Sequence, residues 1–424
     1  MTDSLLVLVE DAVAGTLHRL AGGRLRFDYA DEYRATPGAT PLSLSMPLAV
    51  RTHTERTITP WLWGLLPDND AVLARWARHF QVSRATPFSL LATPIGEDCA
   101  GAVRFAAPEA ETGHPNRPGG VTWLSEGEVA QRLRDLRDDS TSWLGRSFTG
   151  QFSLAGAQAK TALLVEGGRW GVPSGNRATT HIVKPAVAGL DDHDLNEHLC
   201  LDAARRVGLV AVGTKVHQFA GESAIVVERY DRRTVGDAVI RVHQEDLCQA
   251  LAHPPFAKYQ NEGGPSPRDV VALLRRAMAP RVAEDAVSRF ADALIWNWLI
   301  AGTDAHAKNY SLLLAGDQVR LAPLYDIASA LPYDTHERKL RLAMTLGGDD
   351  RVATDSNRWP EAARELGLDA GTLVARVREL ADAAPDAFAD AARTDDVAAL
   401  GKPVTTRLVD LVTARCERCR RLVA

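Results

Sequence analysis

The sequence predicts an α+β protein built from a small N-terminal α/β subdomain, a strand-rich lobe and a larger helical lobe. Three observations support this prediction. Between residues 147 and 232, short apolar or alternating runs are separated by turn residues, as in β-strands. From 243 on the pattern is mostly helical, and at 287–299 apolar residues recur at three- and four-residue intervals. A polar stretch rich in Pro and Gly at 107–120 separates the first subdomain from the rest.

Residues 1–106 form the predicted N-terminal subdomain. Apolar and charged residues alternate at 25–29 after a Gly-Gly turn, which predicts a half-buried strand. The pattern at 42–48 predicts a second short strand, and 70–80 predicts a helix. The Trp-rich segment 61–63 is interpreted as core, because aromatic density more often means packing than a binding face.

Residues 107–146 are predicted to be a linker followed by a helix. Ser125 and Glu128 have the spacing of a capping box, which predicts a helix that begins there and runs through Leu136.

Residues 147–232 form the predicted strand-rich lobe. Glycines 167 and 168 mark a hairpin turn, and a helix at 195–207, capped by Asp194, is expected to interrupt the strands. The predicted strands cover residues 161–165, 169–172, 180–185, 214–219 and 223–229.

Residues 233–424 form the predicted helical lobe with its C-terminal helices. Apolar positions at 287–299 follow the i, i+3, i+4, i+7 spacing of a helix with a buried face, which ends at Gly302. Trp296 and Trp298 are therefore interpreted as packing residues. Further elements are expected as a strand at 310–314 and helices at 366–383 and 405–422.

The composition excludes several classes of protein. A net charge of −5 excludes a polyelectrolyte that binds nucleic acid over its whole surface. The five cysteines are sparse and odd in number, which fits a reducing compartment, and Cys416 and Cys419 are interpreted as structural because zinc would need a second ligand pair. No apolar run approaches about 18 residues and no signal-peptide pattern is present, so the cytoplasm and no membrane contact are expected.

The segment 303–309 carries the strongest chemical signal. It reads Thr-Asp-Ala-His-Ala-Lys-Asn between an apolar helix and an apolar strand, and Asp326 follows one hairpin later. Two carboxylates, an amide and a lysine suit metal-assisted phosphoryl transfer: one Asp accepts a proton, while Asn309 and the other Asp hold Mg²⁺. Asp304 and Asn309 are five residues apart, as in the catalytic loop of protein kinases. His306 alone would be read as a structural histidine.

Three weaker patterns precede this segment. Residues 153–160 contain small side chains and Lys160, which suits a loop that binds phosphates, although an ordinary hairpin explains the pattern better on its own. Lys184 lies in a half-buried predicted strand and would need a partner, for which Glu197 is the candidate, or else it is a surface lysine. Residues 226–232 suit a hinge that offers backbone groups to adenine. Because these patterns occur in protein-kinase order, they predict a two-lobed protein-kinase-like core.

Several segments together resemble the HipA family of bacterial serine/threonine kinase toxins. The resemblance runs from about residue 42 to about residue 345. The residues that carry it are at 43–48, 65–68, 152–161, 181–184, 227–232, 243–250, 258–265, 303–309 and 342–344.

The resemblance implies a kinase that uses ATP and Mg²⁺ and phosphorylates a protein serine or threonine to stop translation, with an aminoacyl-tRNA synthetase as candidate substrate. It also implies a HipB-like helix-turn-helix antitoxin as partner, with DNA contacted only through that antitoxin. The implied catalytic residues are Asp304, His306 and Lys308, with Asn309 and Asp326 at the metal. The implied ATP-binding residues are Ala155, Gly156, Ala157, Gln158, Lys160, Lys184, Glu228 and Tyr230, and Ser153 matches the autophosphorylated serine.

Two positions depart from the family pattern, and two other functions stay open. Ala305 stands where glycine is frequent, which would cost energy if the backbone there had positive φ. Ala159 stands where a glutamate is often found in the phosphate loop. The alternatives are a corepressor scaffold for the antitoxin with secondary catalysis, and a phosphotransferase for a small molecule or lipid.

Overall fold

The computed structural model describes residues 3–108, 119–146, 150–236, 238–334, 336–353 and 358–423. Its first unit is a five-stranded antiparallel sheet in the order β4-β3-β2-β1-β5, packed against short helices. The strands are β1 (Ser4–Val9), β2 (Ala12–Arg19), β3 (Leu25–Tyr29), β4 (Thr52–Thr54) and β5 (Val103–Ala106). The helices are α1 (Asp31–Ala35), α2 (Glu55–Gly64), α3 (Asp70–His79) and α4 (Pro87–Leu91).

The second unit is a six-stranded antiparallel sheet in the order β10-β11-β9-β7-β8-β6, with one helix before β7 and one after β9. Its elements are β6 (Val121–Leu124), α5 (Glu126–Asp138), β7 (Thr161–Glu166), β8 (Arg169–Pro173), β9 (His181–Lys184), α6 (His193–Arg206), β10 (Thr214–Phe219) and β11 (Glu222–Glu228).

The third unit is mainly helical and also contains three small sheets. Its strands are β12 (Arg232–Val235), β13 (Ala238–Arg241), β14 (His243–Asp246), β15 (Ser311–Ala315), β16 (Gln318–Leu321), β17 (Arg341–Leu346) and β18 (Asp349–Arg351). Its helices are α7 (Leu247–Ala250), α8 (Pro267–Ala277), α9 (Pro280–Ile300), α10 (Trp359–Leu366), α11 (Ala370–Ala392), α12 (Asp395–Ala398) and α13 (Pro403–Leu422). Strand β14 pairs with β15, and β15 pairs with β16.

Local sequence explains most of these elements. Ser125 and Glu128 form the predicted capping box of α5. Helix α9 buries the predicted face, including Trp296 and Trp298. It ends at Ile300 and is capped by Ala301, whose φ of 53° is left-handed. The buried Cys416 and Cys419 lie on α13, as expected of structural cysteines.

Two core clusters cross the boundaries between these units. The N-terminal core continues beyond β5 to include Trp143, Phe152 and Leu154. The largest core joins α6 of the strand-rich unit to α9, α11 and α13. Burial therefore ties the three units together, and the segment that enters β7 is part of the first core. None of the helices in the described part of the chain is long and apolar enough to cross a membrane.

The predicted strand at residues 42–48 is wrong. Its backbone donors bond to side chains instead of a neighbouring strand: Leu42 N–H to the Tyr29 hydroxyl (2.6 Å), and Leu44 N–H to Glu245 (2.8 Å). Only a single bridge between Ser43 and Met46 remains.

Three further expectations need correction or lie outside the description. Asp194 is in the first turn of α6 rather than at its cap, which is Asp192, and its carboxylate accepts a hydrogen bond from Ser223 (3.0 Å). The C-terminal helices have different bounds from those predicted at 366–383 and 405–422, since α11 runs on to Ala392. Most of the expected linker at 107–120 lies outside the described residues.

Candidate active site

The predicted site residues converge on a cavity between the strand-rich and helical units. Most of them line it directly, and we call it the nucleotide cavity. Its predicted lining residues are Ala155, Gly156, Lys160, Lys184, Glu228, Tyr230, His306, Lys308, Asn309 and Asp326. An adjoining outer cleft is lined by Ala157, Gln158 and Asp304, and shares Gly156, His306 and Asp326 with the cavity.

The segment after α9 turns back on itself through local hydrogen bonds. His306 N–H donates to the Asp304 carbonyl (2.8 Å), and Asn309 N–H donates to the His306 carbonyl (2.9 Å). The Asn309 side-chain amide donates to the carbonyls of Asp304 (3.0 Å) and Asp326 (3.2 Å). Asn309 therefore fixes the two aspartates relative to each other through their backbones. Ala305 is outside the positive-φ region, so alanine is accommodated there without left-handed strain.

Asp304 lies exposed at the outer cleft. The hydroxyl of Tyr259 donates to its carboxylate (2.5 Å), and the Tyr259 ring meets the His306 ring edge-on. The surrounding walls remove part of the water around Asp304 and raise the pKa of its carboxyl, whereas the bond from Tyr259 opposes that rise. A raised pKa suits a carboxylate that accepts a proton during the reaction.

Lys184 forms the centre of a buried charged triad. Its ammonium donates to Glu197 on α6 (2.7 Å) and to Asp326 (2.5 Å), and its side chain is 5% exposed. The sequence-based pairing of Lys184 with Glu197 is therefore present in the structure, and Lys184 is not a surface lysine. Asp326 has a left-handed φ of 56°, a conformation that Asp tolerates better than most residues.

The charges of this triad set its protonation states. Burial opposes ionisation of Asp326, but Lys184 and Lys160 hold the pKa of its carboxyl well below the usual range. Burial raises the pKa of Glu197 despite the neighbouring Lys184. Burial works against the charge on Lys184, yet Asp326 and Glu197 raise its pKa above the ordinary value. At neutral pH the ammonium and the Asp326 carboxylate are therefore both charged.

The segment 152–160 is a loop rather than a strand of a hairpin. Gly156 has a φ of 102°, and a Cβ there would lie 2.7 Å from Lys160 Nζ, so a side chain would crowd that ammonium. Lys160 donates to the Ala155 carbonyl (2.8 Å), which folds the loop around its charge. Burial, followed by the positive charge of Lys184, lowers the pKa of Lys160 to about 8.

Ser153 is fully buried and does not line either space. Its hydroxyl donates to the Leu65 carbonyl (2.7 Å), and its N–H donates to the Asp98 carbonyl (2.9 Å), so it faces the N-terminal unit. This predicted site residue is separated from the others in the present conformation of the loop.

The predicted hinge follows β11. Glu228 N–H is already bonded to the Gly213 carbonyl (3.0 Å), and Arg229 N–H to the Thr180 carbonyl (2.9 Å). The Tyr230 ring packs on Tyr325, and its hydroxyl donates to Gln244 (2.6 Å). These bonds hold the hinge rigidly beside the cavity, where both Glu228 and Tyr230 contribute to the lining.

A buried ion cluster locks this hinge to the N-terminal unit. Asp231 pairs with Arg229 (2.7 Å) and accepts from Gly101 N–H (2.7 Å), and Asp98 pairs with Arg232 (2.9 Å) and Arg241 (3.2 Å). Burial alone would raise the pKa of Asp98, but the three arginines lower it. The cluster was not predicted, because its members are scattered between residues 98 and 241.

Three further groups close to Asp304 and Lys308 were not predicted from the sequence. Asp68, Lys258 and Tyr259 contact the predicted residues directly. Their segments, 65–68 and 258–265, carried the family resemblance, but neither contains a pattern that assigns a role. Lys258 and Asp68 are 190 residues apart, so no sequence spacing indicates that they pair.

The donor set of the cavity fits a magnesium–nucleotide complex. Mg²⁺ in proteins is held by one or two carboxylates together with phosphate oxygens and water, and Asn309 and Asp326 offer an amide and a carboxylate oxygen. Among the described residues, no group of three His, Cys, Asp or Glu side chains forms a self-contained metal site. Within the same part of the chain, Gln158 Nε2 and His306 Nδ1 are buried without a hydrogen-bond partner, as expected of groups that a ligand satisfies.

The fold and this site define a two-lobed, protein-kinase-like protein. Two family models match the chain: the HipA N-terminal domain over residues 5–106 and the HipA-like C-terminal domain over residues 152–388. The chain therefore belongs to the HipA family.

Individual relatives agree with this assignment. A Sinorhizobium fredii protein named "Putative kinase Y4mE" is 34% identical over 374 residues, covering 87% of this chain and 86% of the relative. The serine/threonine-protein kinase toxin HipA of Shewanella oneidensis is 30% identical over 404 residues, covering 89% of this chain and 87% of the relative. A solved complex of Shewanella oneidensis HipA, HipB and operator DNA matches with a TM-score of 0.82 and 26% identity, covering 98% of this chain and 97% of that one.

Proposed function

We propose that the protein is an ATP- and Mg²⁺-dependent serine/threonine kinase and the toxin of a toxin–antitoxin pair. The observation that carries the proposal is the triad of Lys184, Glu197 and Asp326 beside the loop that holds Asp304 and Asn309. A lysine held by a glutamate, opposite a metal-binding Asp and Asn, is the arrangement that phosphoryl transfer by kinases requires.

The roles of the side chains follow from their positions. The Glu228 carbonyl and the Tyr230 N–H are the proposed adenine contacts, because the Glu228 N–H is already bonded in the sheet. Lys160 and Lys184 bind the phosphates, and Ala155, Gly156, Ala157 and Gln158 form the loop around them. Asn309 and Asp326 would hold Mg²⁺, which neutralises phosphate charge when it is bound.

The chemical step takes place at the outer cleft. The hydroxyl oxygen of the acceptor attacks the γ-phosphorus, the bond to the β-phosphate oxygen breaks, and ADP leaves. Asp304 receives the proton of the hydroxyl, and Tyr259 holds that carboxylate in place. His306 and Lys308 belong to the same segment as Asp304. Burial and the charge of Lys258 lower the pKa of His306 to about 4, so its ring is neutral.

We propose Ser153 as an autophosphorylation site that requires the loop to leave its present position. Its buried hydroxyl is bonded to Leu65, so no phosphate donor reaches it there. A phosphoserine would add a charge of about −2 at a fully buried position, which the loop cannot retain. Phosphorylation would therefore hold the loop out of the nucleotide cavity and switch the kinase off.

Transfer of label from ATP tests the proposal. Wild-type protein is incubated with γ-labelled ATP and Mg²⁺ beside Asp304→Asn and Asp326→Asn, with Asp317→Asn on the exposed β15–β16 turn as the matched control. We expect label on Ser153, located by mass spectrometry, in the wild type and the control only. Equal labelling of the wild type and both site variants would refute the assignment.

The partners are proposed from the relatives. Because the Shewanella oneidensis HipA structure contains HipB and operator DNA, we propose a HipB-like antitoxin for this chain, with DNA contacted through it. The same complex favours a corepressor role as a second function. We propose a translation-related protein, with an aminoacyl-tRNA synthetase as candidate, as the acceptor. Growth arrest that survives Asp304→Asn would favour the corepressor role, and label found only on a metabolite would favour a small-molecule phosphotransferase.

A further inference from the structure

Asp68 is a residue of the N-terminal unit that reaches into the site of the other two units. It follows α2 and precedes Asn69, which caps α3. Its carboxylate pairs with Lys308 through one oxygen (2.5 Å) and with Lys258 through the other (3.0 Å). Its N–H donates to the Gly156 carbonyl of the phosphate loop (3.0 Å).

The two lysines face different spaces. Lys308 lines the nucleotide cavity together with Asp68, whereas Lys258 lines the outer cleft together with Asp304 and Tyr259. Lys308 is 2% exposed and the Asp68 side chain is 13% exposed, so their pairing is shielded from bulk water. Asp68 thus lies between the space for the phosphate donor and the space for the acceptor.

Asp68, Lys258 and Lys308 together carry one net positive charge. They lie where a phosphoryl group would pass from the donor to the acceptor. The Asp68 carboxylate holds the ammonium groups of Lys308 and Lys258 in fixed positions. Without it neither lysine would keep its position, because a lysine side chain has four rotatable bonds. Burial alone would raise the pKa of Asp68, but Lys308 and Lys258 lower it, so the carboxylate stays ionised at neutral pH. Cations fixed before the substrate arrives stabilise developing charge without reorganising.

We propose that Asp68 is a positioning residue of the phosphotransfer site, which holds Lys308 and Lys258 at the boundary between the nucleotide cavity and the outer cleft. This inference rests on the proposed kinase function and deepens it. It also gives the N-terminal unit a part in the reaction, because Asp68 connects the phosphate loop to the loop that carries Asp304.

The proposal predicts opposite effects on binding and turnover. Asp68→Asn removes a negative charge that lines the cavity for an anionic nucleotide, so ATP binds as tightly as in the wild type or several-fold more tightly. The two lysines lose the group that orients them, so kcat falls about tenfold or more. An ion pair that only stabilises the fold would lower the melting temperature without separating these two constants.

The experiment measures label transfer and the dissociation constant of a fluorescent ATP analogue for full-length wild type, Asp68→Asn, Lys308→Met and the double variant. Asp70→Asn, exposed on the first turn of α3, is the matched control and keeps wild-type values. If Asp68 acts through the two lysines, the double variant loses less turnover than the product of the two single losses, and Lys258 accounts for any loss beyond that of Lys308→Met. If Asp68→Asn does not fold, Asp68→Glu replaces it, with unchanged ATP affinity and slower turnover expected.

Three results would overturn the assignment of Asp68. The first is turnover of the Asp68 variant within about twofold of the wild type. The second is loss of ATP affinity in parallel with kcat. The third is a double variant whose fold-loss of turnover equals the product of the fold-losses in the two single variants. Wild-type protein that transfers no label from ATP would instead refute the proposed function, and this assignment with it.

Discussion

Replacement of Lys184 by Met removes the cation that the Glu197 and Asp326 carboxylates share. Glu197 is 1% exposed and keeps its position on α6, whereas the Asp326 side chain is 33% exposed and can recover water. Breaking one partner out of a buried ion pair costs about 3–5 kcal/mol. Because only Glu197 is fully enclosed, we expect a loss near the lower end, about 3 kcal/mol in the free energy of unfolding. With an unfolding entropy of about 2.1 cal/mol/K per residue over 424 residues, this corresponds to a fall in Tm of roughly 3–4 °C.

The loss should depend on pH in a defined direction. Without Lys184 the folded-state pKa of Glu197, already raised by burial, rises further above its unfolded value. The stability associated with a raised acid is present at low pH and lost as pH increases through its folded pKa. Asp326 changes in the same sense, because its low pKa depends on Lys184. The deficit of Lys184→Met relative to the wild type is therefore larger at pH 8 than at pH 5.

Thermal melts of the nucleotide-free protein at both pH values measure this loss. Lys215→Met, on an exposed position of strand β10 in the same sheet, is the matched control and should melt like the wild type. Adding Glu197→Leu to Lys184→Met removes the stranded carboxylate and should restore most of the lost stability. A Lys184→Met protein that melts within about 1 °C of the wild type, or a double variant below the single, would show that the triad is not a coupled buried unit.

Three shorter predictions concern other groups. Asp304→Asn should lower the rate of label transfer on the order of 10²–10⁴-fold while the fluorescent ATP analogue still binds. The affinity for that analogue should fall as pH rises from 7 to 9, because Lys160, with its pKa lowered to about 8, loses its charge there, and Lys160→Met should abolish this slope. Burial raises the pKa of Glu245 to about 8. The free-energy cost of burying this carboxyl is therefore absent below about pH 4.5, where the folded and unfolded chains are both protonated, and fully present above about pH 8. Glu245→Gln should accordingly raise Tm at pH 7.5 and not at pH 4.

Locally determined elements could be predicted from the sequence. The capping box of α5 and the buried face of α9 depend on residues within a few positions of one another. The order of the charged site residues from Lys160 to Asp326 could also be recognised, because the two lobes of a kinase-like fold follow one another along the chain.

Elements that depend on distant partners were missed or predicted wrongly. Strand β14 consists of His243, Gln244, Glu245 and Asp246, all buried, so it shows neither alternation nor apolar character. Its Glu245 carboxylate takes the Leu44 N–H, which also explains why the alternating residues 42–48 form no strand. A hydrogen bond from a residue 201 positions away therefore helps to decide the conformation of this segment.

The N-terminal unit cannot be treated as a separate module added to a kinase core. Three contacts connect it to the other two units: Asp68 pairs with two lysines of the site, the Leu65 carbonyl accepts from Ser153, and Asp98 pairs with arginines of the hinge. The first two contacts give a partner to the buried Lys308 ammonium and to the Ser153 hydroxyl, and a buried polar group without a partner costs about 1–3 kcal/mol or more. Since the loop at 152–160 is bonded to the same unit through Ser153 and Gly156, movement of that loop would break its hydrogen bonds to the N-terminal unit.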